Sequence, residues 1–165
     1  MPHSCTRHPV LVRIVLLALA MVSSALSAAP PVNTLGEPRS FFRSPEPTGI
    51  AIRGYDPVAY HTLGAPTPGS AEHAFEYQGA TWHFANAQHR QMFVADPETY
   101  VPAYGGYCAY GVARGYLVKI EPDQWEIVDG RLYLNYDEKV SDKWRKDIPG
   151  FIRQADAQFA DLITP

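Results

Sequence analysis

The stretch AFEYQGATWHF (residues 74–84) decides the fold of the first part of the chain. Apolar and polar side chains alternate over residues 74–77 and again over residues 81–84, and this period of two is typical of half-buried strands. Gln78-Gly79 between the two segments is a turn signal, because glycine readily adopts the positive φ that tight hairpins require. The stretch therefore predicts an antiparallel β-hairpin.

Short helices are predicted on both sides of this hairpin. Asp56 followed by Pro57 indicates a turn, and proline is well tolerated at the first position of a helix. Asn86 is a typical N-cap for a helix over residues 87–95, and Pro97 restarts a second, shorter helix. One face of the longer helix carries three residues at i, i+3 and i+4 spacing: His89, Met92 and Phe93.

A second hairpin is predicted over residues 125–128 and 131–136, with Asp129-Gly130 as its two-residue turn. Asp137 is the predicted cap of the helix that follows, and an apolar stripe continues to the end of the chain. We recognise no internal repeat of useful length. The pattern predicts an α+β fold in which a β-hairpin packed on short helices is extended by a second hairpin and a C-terminal helical segment.

Residues 1–29 have the order of a secretory signal: positive charge at Arg7 and Arg13, an apolar run over residues 14–22, and then small residues. The run is nine residues long, against the ~20 that a membrane-spanning helix needs. We therefore expect an exported, periplasmic protein without a membrane span once the signal has been removed.

Residues 30–49 contain five prolines and predict an extended arm that lies along the surface, pinned in part by Phe41-Phe42. The ordered domain is predicted to cover residues 50–165. The chain that remains after signal removal has a net charge of −5, because residues 1–29 carry two of the 14 basic and none of the 17 acidic residues. Nucleic acid is not an expected partner, since the basic residues are few and scattered.

The residues of the first part resemble the YHS domain family. The similarity begins at Tyr55-Asp56-Pro57-Val58, continues through Trp82-His83-Phe84, and ends at residues 96–100, covering about 45 residues. The later Gly105-Gly106-Tyr107-Cys108 loop and second hairpin look like an extension found in exported bacterial members with a single such domain. The resemblance implies a small α+β fold, and cysteine-bearing members are thought to bind metal.

The chain departs from the family at the residues that would hold the metal. Ala59, Ala85 and His89 stand where cysteine-bearing members carry cysteines. Two of the three family ligands are therefore replaced by methyl groups, and the third is replaced by an imidazole. The resemblance does not carry a cysteine-rich metal site over to this chain.

Cys108 is the one cysteine that remains after signal removal, because Cys5 lies before the apolar run. Thiolate and imidazole ligands suit copper or zinc, so Cys108 and His89, with His83, are the candidate metal ligands. A buried cysteine without chemistry, and histidines that are merely solvated or hydrogen-bonded, are the alternative interpretation.

Aromatic side chains supply a second candidate site. Tyrosines with a few polar groups line many small-molecule pockets, although they also fill the cores of small domains. The candidate pocket residues are Tyr55, Asp56, Tyr60, Tyr104, Tyr107 and Tyr110.

Three functions remain open on the sequence alone. The first choice is a periplasmic protein that binds a metal ion or a small ligand at the Gly-Tyr-Cys loop, with the cofactor unknown and copper or zinc as candidates. The alternative is a structural or interaction module that has lost the metal site, with an unidentified protein partner. The third is a thiol enzyme at Cys108, which would need an activated thiolate. A non-catalytic role is preferred, because no catalytic motif is recognised.

Overall fold

The fold is described from a computed structural model, which places residues 28–36 and 46–164. The Phe41-Phe42 pair and residues 1–27 of the predicted signal over residues 1–29 lie outside the described residues. Within the described residues, no helix has the length and apolar character needed to cross a membrane.

The first half of the domain contains the predicted hairpin and helices. It opens with a 3₁₀ turn at Ala51–Gly54. The helices are α1 (Pro57–Thr62), α2 (Ala87–Ala95) and α3 (Pro97–Tyr100), and the strands are β1 (Ser70–Tyr77) and β2 (Ala80–Phe84). Asn86 caps α2 by accepting a hydrogen bond from the backbone N–H of His89 at 2.8 Å, as its side-chain type predicts.

The second half follows without a linker. It opens with a 3₁₀ turn at Ala103–Gly106. The helices are α4 (Ala109–Ala113), α5 (Glu138–Trp144) and α6 (Ile148–Ile163), and the strands are β3 (Glu121–Val128) and β4 (Arg131–Asn135). Each half thus has one two-stranded antiparallel sheet, and the described chain is an α+β fold.

The two halves repeat one another, which corrects the sequence-based conclusion that no useful internal repeat exists. In the first hairpin Ser70 pairs with Phe84, and in the second Glu121 pairs with Asn135, so both partners are shifted by 51 residues. Both hairpins have their register irregularity at the same place. The turn, helix, hairpin and helix also follow in the same order. The predicted extension is therefore a second copy of the first unit's architecture.

Two apolar clusters form the core, and the first is shared by the two halves, because it also contains Ile120 and Leu134. Trp82, Phe84 and Phe93 are fully buried in the first cluster, where the Phe93 ring contacts both of the others. Tyr133 and Trp144 are buried in the second cluster, and the predicted C-terminal stripe packs against it through α6. Helix α6 covers the second cluster, and this contact adds the buried apolar area that a small domain needs for stability.

The predicted arm contributes to the body of the domain. Val32, Asn33 and Thr34 are buried, although the sequence placed the start of the ordered domain near residue 50. The backbone N–H of Asn33 donates to the carbonyl of Gly105 at 2.9 Å, and its side-chain amide donates to the carbonyl of Gly106 at 2.9 Å. A few residues of the arm therefore lie in the core, against the Gly105-Gly106-Tyr107-Cys108 loop of the second half. We call this segment the glycine loop below.

Candidate functional site

Asp56 organises the polar centre of the first half. Its carboxylate is fully buried and caps α1, accepting from the backbone N–H groups of Val58 at 2.9 Å and Ala59 at 3.3 Å. The second carboxylate oxygen accepts from the backbone N–H of Ala85 at 2.8 Å, just beyond β2. One side chain therefore ties the start of α1 to the end of the hairpin.

His89 completes this centre from α2. Its Nδ1 lies 2.6 Å from Asp56 Oδ2, and its Nε2 lies 3.4 Å from the Oγ1 of Thr62 at the end of α1. The Thr62 hydroxyl also donates to the carbonyl of Val58 at 3.0 Å. Only Thr62 of the three side chains reaches the surface, while Asp56 and His89 are buried. Asp56, His89 and Thr62 are called the polar row below.

Cys108 occupies the position in the second half that Asp56 occupies in the first. It caps α4, and its sulfur accepts from the backbone N–H of Gly111 at 3.3 Å and lies 3.7 Å from the amide oxygen of Asn135. The backbone N–H groups around the sulfur belong to Tyr110, Gly111 and Tyr136, which match the three amides that surround Asp56. Burial raises the pKa of the Cys108 thiol even though these amides act to lower it.

The three predicted metal ligands have separate surroundings. His89 is hydrogen-bonded to Asp56, the Cys108 sulfur accepts from the first turn of α4, and the His83 ring lies beside Gly54. Within residues 28–36 and 46–164 no group of three or more His, Cys, Asp or Glu side chains is placed to hold a metal ion. The repeat gives the reason: the position that matches His89 in the second half is Val140, so Cys108 has no imidazole beside it.

A cavity of about 390 Å³ lies beside the first hairpin. The polar side chains in its wall are Thr48, Arg53, Tyr55 and His83, and the remaining lining residues are Gly36, Ile50, Gly54, Pro68 and Gly69. This volume is within the range of small-molecule sites. We call it the His83 cavity. The residue that matches His83 in the second half is Leu134, which is fully buried.

Arg53 connects this cavity to the second half. Its Nη1 donates to the carbonyl of Ile120 at 3.3 Å and to the carboxylate of Glu121, which also accepts from Lys119. Partial burial of Glu121 acts to raise its pKa, but the hydrogen bonds from Lys119 and Arg53 outweigh that effect and hold the pKa below its ordinary value. Arg53 at the cavity wall therefore shares the one carboxylate of Glu121 with Lys119.

The structure distributes the six predicted pocket residues over several places. Tyr55 lines the His83 cavity, whereas Asp56 is buried in the polar row. Tyr60 is buried and its hydroxyl donates to the carbonyl of Pro122 at 2.9 Å, which joins the two halves. Burial raises the pKa of Tyr60 well above its ordinary value, so this phenol remains a donor.

The other three candidate tyrosines, Tyr104, Tyr107 and Tyr110, contact different elements. Tyr104 lines a separate cavity of about 360 Å³, where its hydroxyl donates to Asp156 at 2.9 Å; burial and this bond raise its pKa. The hydroxyl of Tyr107 donates to the carbonyl of Pro30 at 3.1 Å, and the ring of Tyr110 packs edge-on against Phe151. These tyrosines join elements together and do not form one pocket.

Thr62 and Arg53 belong to these sites and were missed in the sequence. Thr62 lies four residues after Val58 on the helix that the Asp-Pro motif begins, so its place on the same face of α1 was accessible to pattern reasoning. Arg53 has a left-handed backbone, with φ of 60°, which its residue type gives no reason to expect.

No family of known proteins, no curated protein and no solved structure matches this chain.

Proposed function

We propose that this chain is an exported, non-catalytic binding protein with two YHS-like units, and that it holds a small polar ligand in the His83 cavity. The cavity is the observation that carries the proposal, because it combines a volume suited to a small molecule with hydroxyl, phenol and imidazole groups. Export rests on the sequence pattern of residues 1–29.

The comparison of the halves supports this choice of site. Leu134 takes the matched position in the second half with no exposed surface, whereas His83 is partly exposed at the cavity. The same hairpin register is therefore compatible with leucine at this position. The fold therefore does not require an imidazole at position 83, which makes His83 a better candidate for ligand binding than His89, whose imidazole is bound to Asp56.

The other sites give less support to a binding or catalytic role. Cys108 is buried with a raised pKa, which is the opposite of the activated thiolate that metal binding or thiol catalysis needs. The glycine loop that precedes it is covered by Asn33. Both ring nitrogens of His89 already face Asp56 and Thr62.

Titration followed by NMR tests the proposal on the full chain. The probes are acetamide, glycine, acetate and glucose at increasing concentration, with Zn²⁺ and Cu²⁺ as separate arms. We expect at least one organic probe to shift the backbone resonances of Gly54 and Gly69 and the ring resonances of His83. His83→Leu is the matched control, since leucine occupies this position in the second half, and it should abolish those shifts while the rest of the spectrum is retained.

Two results would overturn the proposal. If none of the organic probes shifts the three cavity residues, the cavity does not bind small polar molecules. If Zn²⁺ or Cu²⁺ binds tighter than ~10 μM and Cys108→Ser abolishes that binding, the site is a metal site at the glycine loop.

A structural or interaction module is the second candidate. The observation in its favour is that Asp56, His89 and Cys108 all have hydrogen-bond partners within the chain, as residues of a framework do. Recovery of the chain from the envelope in a stable complex that His83→Leu does not disturb would favour this function over ligand binding.

A further inference from the structure

A second cavity is lined by residues of both halves, and it shares no lining residue with the His83 cavity. Its volume is about 360 Å³, near the lower end of the range for small-molecule sites. Three charged side chains line it: Glu98 of α3 in the first half, and Arg131 of β4 and Asp156 of α6 in the second. We call it the junction cavity. The two halves therefore bring charges of both signs to one cavity.

Tyrosine hydroxyls orient both carboxylates of the junction cavity. The hydroxyl of Tyr77 donates to Glu98 at 2.9 Å, and the hydroxyl of Tyr104 donates to Asp156 at 2.9 Å. An ionised carboxylate has about four acceptor positions on its two oxygens, so one such bond leaves most of its acceptor capacity open to a ligand. The carboxylates are thus held in place and are still able to bind an ammonium group.

Arg131 supplies the opposite charge. It is exposed at the start of β4, and among the described residues it forms no ion pair with Glu98 or Asp156. Its charge nevertheless acts on the buried Tyr104 phenol: burial and the bond to Asp156 raise the pKa of Tyr104, and Arg131 acts to lower it. The guanidinium therefore lies near the Tyr104–Asp156 pair without contacting the carboxylate, which leaves space for a ligand that carries both charges.

Part of the wall of the junction cavity is apolar. It contains Val101, Pro102 and Phe159, and the ring of Tyr104 packs edge-on against Phe159 with ring centroids 5.5 Å apart. An aliphatic or aromatic side chain of a ligand would bury apolar area against these groups, which favours binding.

We propose that the junction cavity binds a free α-amino acid with an apolar side chain. The ammonium group binds the carboxylates of Glu98 and Asp156. The carboxylate binds Arg131, and the side chain packs on Phe159. An organic cation would be repelled by the arginine and an organic anion by the two carboxylates, whereas a zwitterion is complementary to both kinds of charge. This site goes beyond the proposed function, because it uses a different cavity.

The probe is L-phenylalanine, titrated into the full chain and followed by NMR. Two analogues each lack one charge: phenethylamine has no carboxylate, and 3-phenylpropionate has no ammonium group. We expect phenylalanine to bind with a Kd of about 1 mM and to shift the backbone resonances of Val101, Gly105 and Ala160, which line the cavity. Each analogue should bind about tenfold more weakly, because it loses the charge-assisted hydrogen bonds of the missing group.

Two variants assign the charges to their residues. Arg131→Gln should weaken the binding of phenylalanine about tenfold and should not weaken that of phenethylamine, which has no carboxylate to lose. Asp156→Asn keeps an acceptor for the Tyr104 hydroxyl and should weaken the binding of both. Arg153→Gln is the matched control, because Arg153 is an exposed arginine of α6 that does not line the cavity, and it should change neither affinity.

Three results would overturn the inference. The first is the absence of shifts at the junction cavity with phenylalanine at about 20 mM, well above the expected Kd. The second is an equal affinity for phenylalanine and either analogue, which would show that the cavity does not require both charges. The third is an unchanged affinity for phenylalanine in Arg131→Gln. All three leave the proposed function standing, because its probes are read at Gly54, Gly69 and His83.

Discussion

Replacing Asp56 by cysteine tests whether the polar row is a requirement of the fold. In the second half a cysteine caps the matched helix, and the residue that matches His89 is Val140. The single variant Asp56→Cys keeps an acceptor for the backbone amides but leaves His89 without the carboxylate at 2.6 Å. The double variant Asp56→Cys/His89→Val reproduces the combination that the second half already uses.

The expected magnitudes follow from burial. Asp56 is fully buried and His89 is 7% exposed, so the loss of the carboxylate leaves a buried imidazole unpaired. That costs about 1–3 kcal/mol for a neutral ring and about 3–5 kcal/mol for a charged one. Replacing both partners of a buried pair by apolar groups is often nearly neutral. We therefore expect Asp56→Cys to lose about 3 kcal/mol and the double variant to recover about 2 kcal/mol of it.

Equilibrium unfolding in urea measures both variants against the unchanged chain. With a slope near 1.5 kcal/mol per molar, typical of a small domain, Asp56→Cys should lower the midpoint by about 2 M. The single variant His89→Val completes the double-mutant cycle. It leaves the Asp56 carboxylate with its three backbone donors, so it measures the loss of the imidazole alone. A double variant that is no more stable than Asp56→Cys would refute the reasoning, since removal of the imidazole would then not relieve the loss of the carboxylate.

Three further predictions concern the second half. Cys108 should react slowly with iodoacetamide in the folded chain, with an apparent pKa above that of the urea-unfolded chain, which should react quickly at about pH 8.5. Equal rates in the two states would contradict the burial of the thiol. Gly105→Ala should lower the free energy of unfolding by about 3 kcal/mol or prevent folding, because the new Cβ would overlap the carbonyl of Pro31. Gly64→Ala is the matched control: Gly64 has a similar φ but open space around it, so thermal melts should show a loss of only about 1 kcal/mol. Truncation after Asp137 removes α5 and α6 with the buried Trp144 and should unfold the whole domain. A cooperative melt near the full-length value by circular dichroism would show that these two helices are not required for folding.

The local elements were predictable because they depend on neighbouring residues. The two hairpins follow from Gln78-Gly79 and Asp129-Gly130, whose first residues have φ of 51° and 50° in the structure. Asn86 and Asp137 cap the helices that their residue types predict. Each of these features is fixed within about four residues of chain, which is the range that pattern reasoning covers.

The repeat and the polar row were not predictable in the same way. The matched positions Asp56 and Cys108 differ in charge and size, and their likeness lies in the three backbone amides that surround each of them. The pairing of Asp56 with His89 spans 33 residues and depends on how α2 packs against α1. The burial of residues 32–34 depends in turn on a glycine loop about seventy residues away. These are tertiary contacts, and no local period encodes them.

Because the halves share one architecture, each serves as a control for the other. A cysteine in the second half and an aspartate in the first cap matched helices, so the cap requires an acceptor and not a charge. Leu134 and His83 occupy matched strand positions, so the strand does not require an imidazole there. Cys108, the residue that draws most attention in the sequence, is therefore explained by the architecture, while His83 is not. Function is best sought where the first half departs from what the second half shows to be sufficient. Asp56 and His89 depart too, but they are buried and bound to each other, whereas His83 lines a cavity.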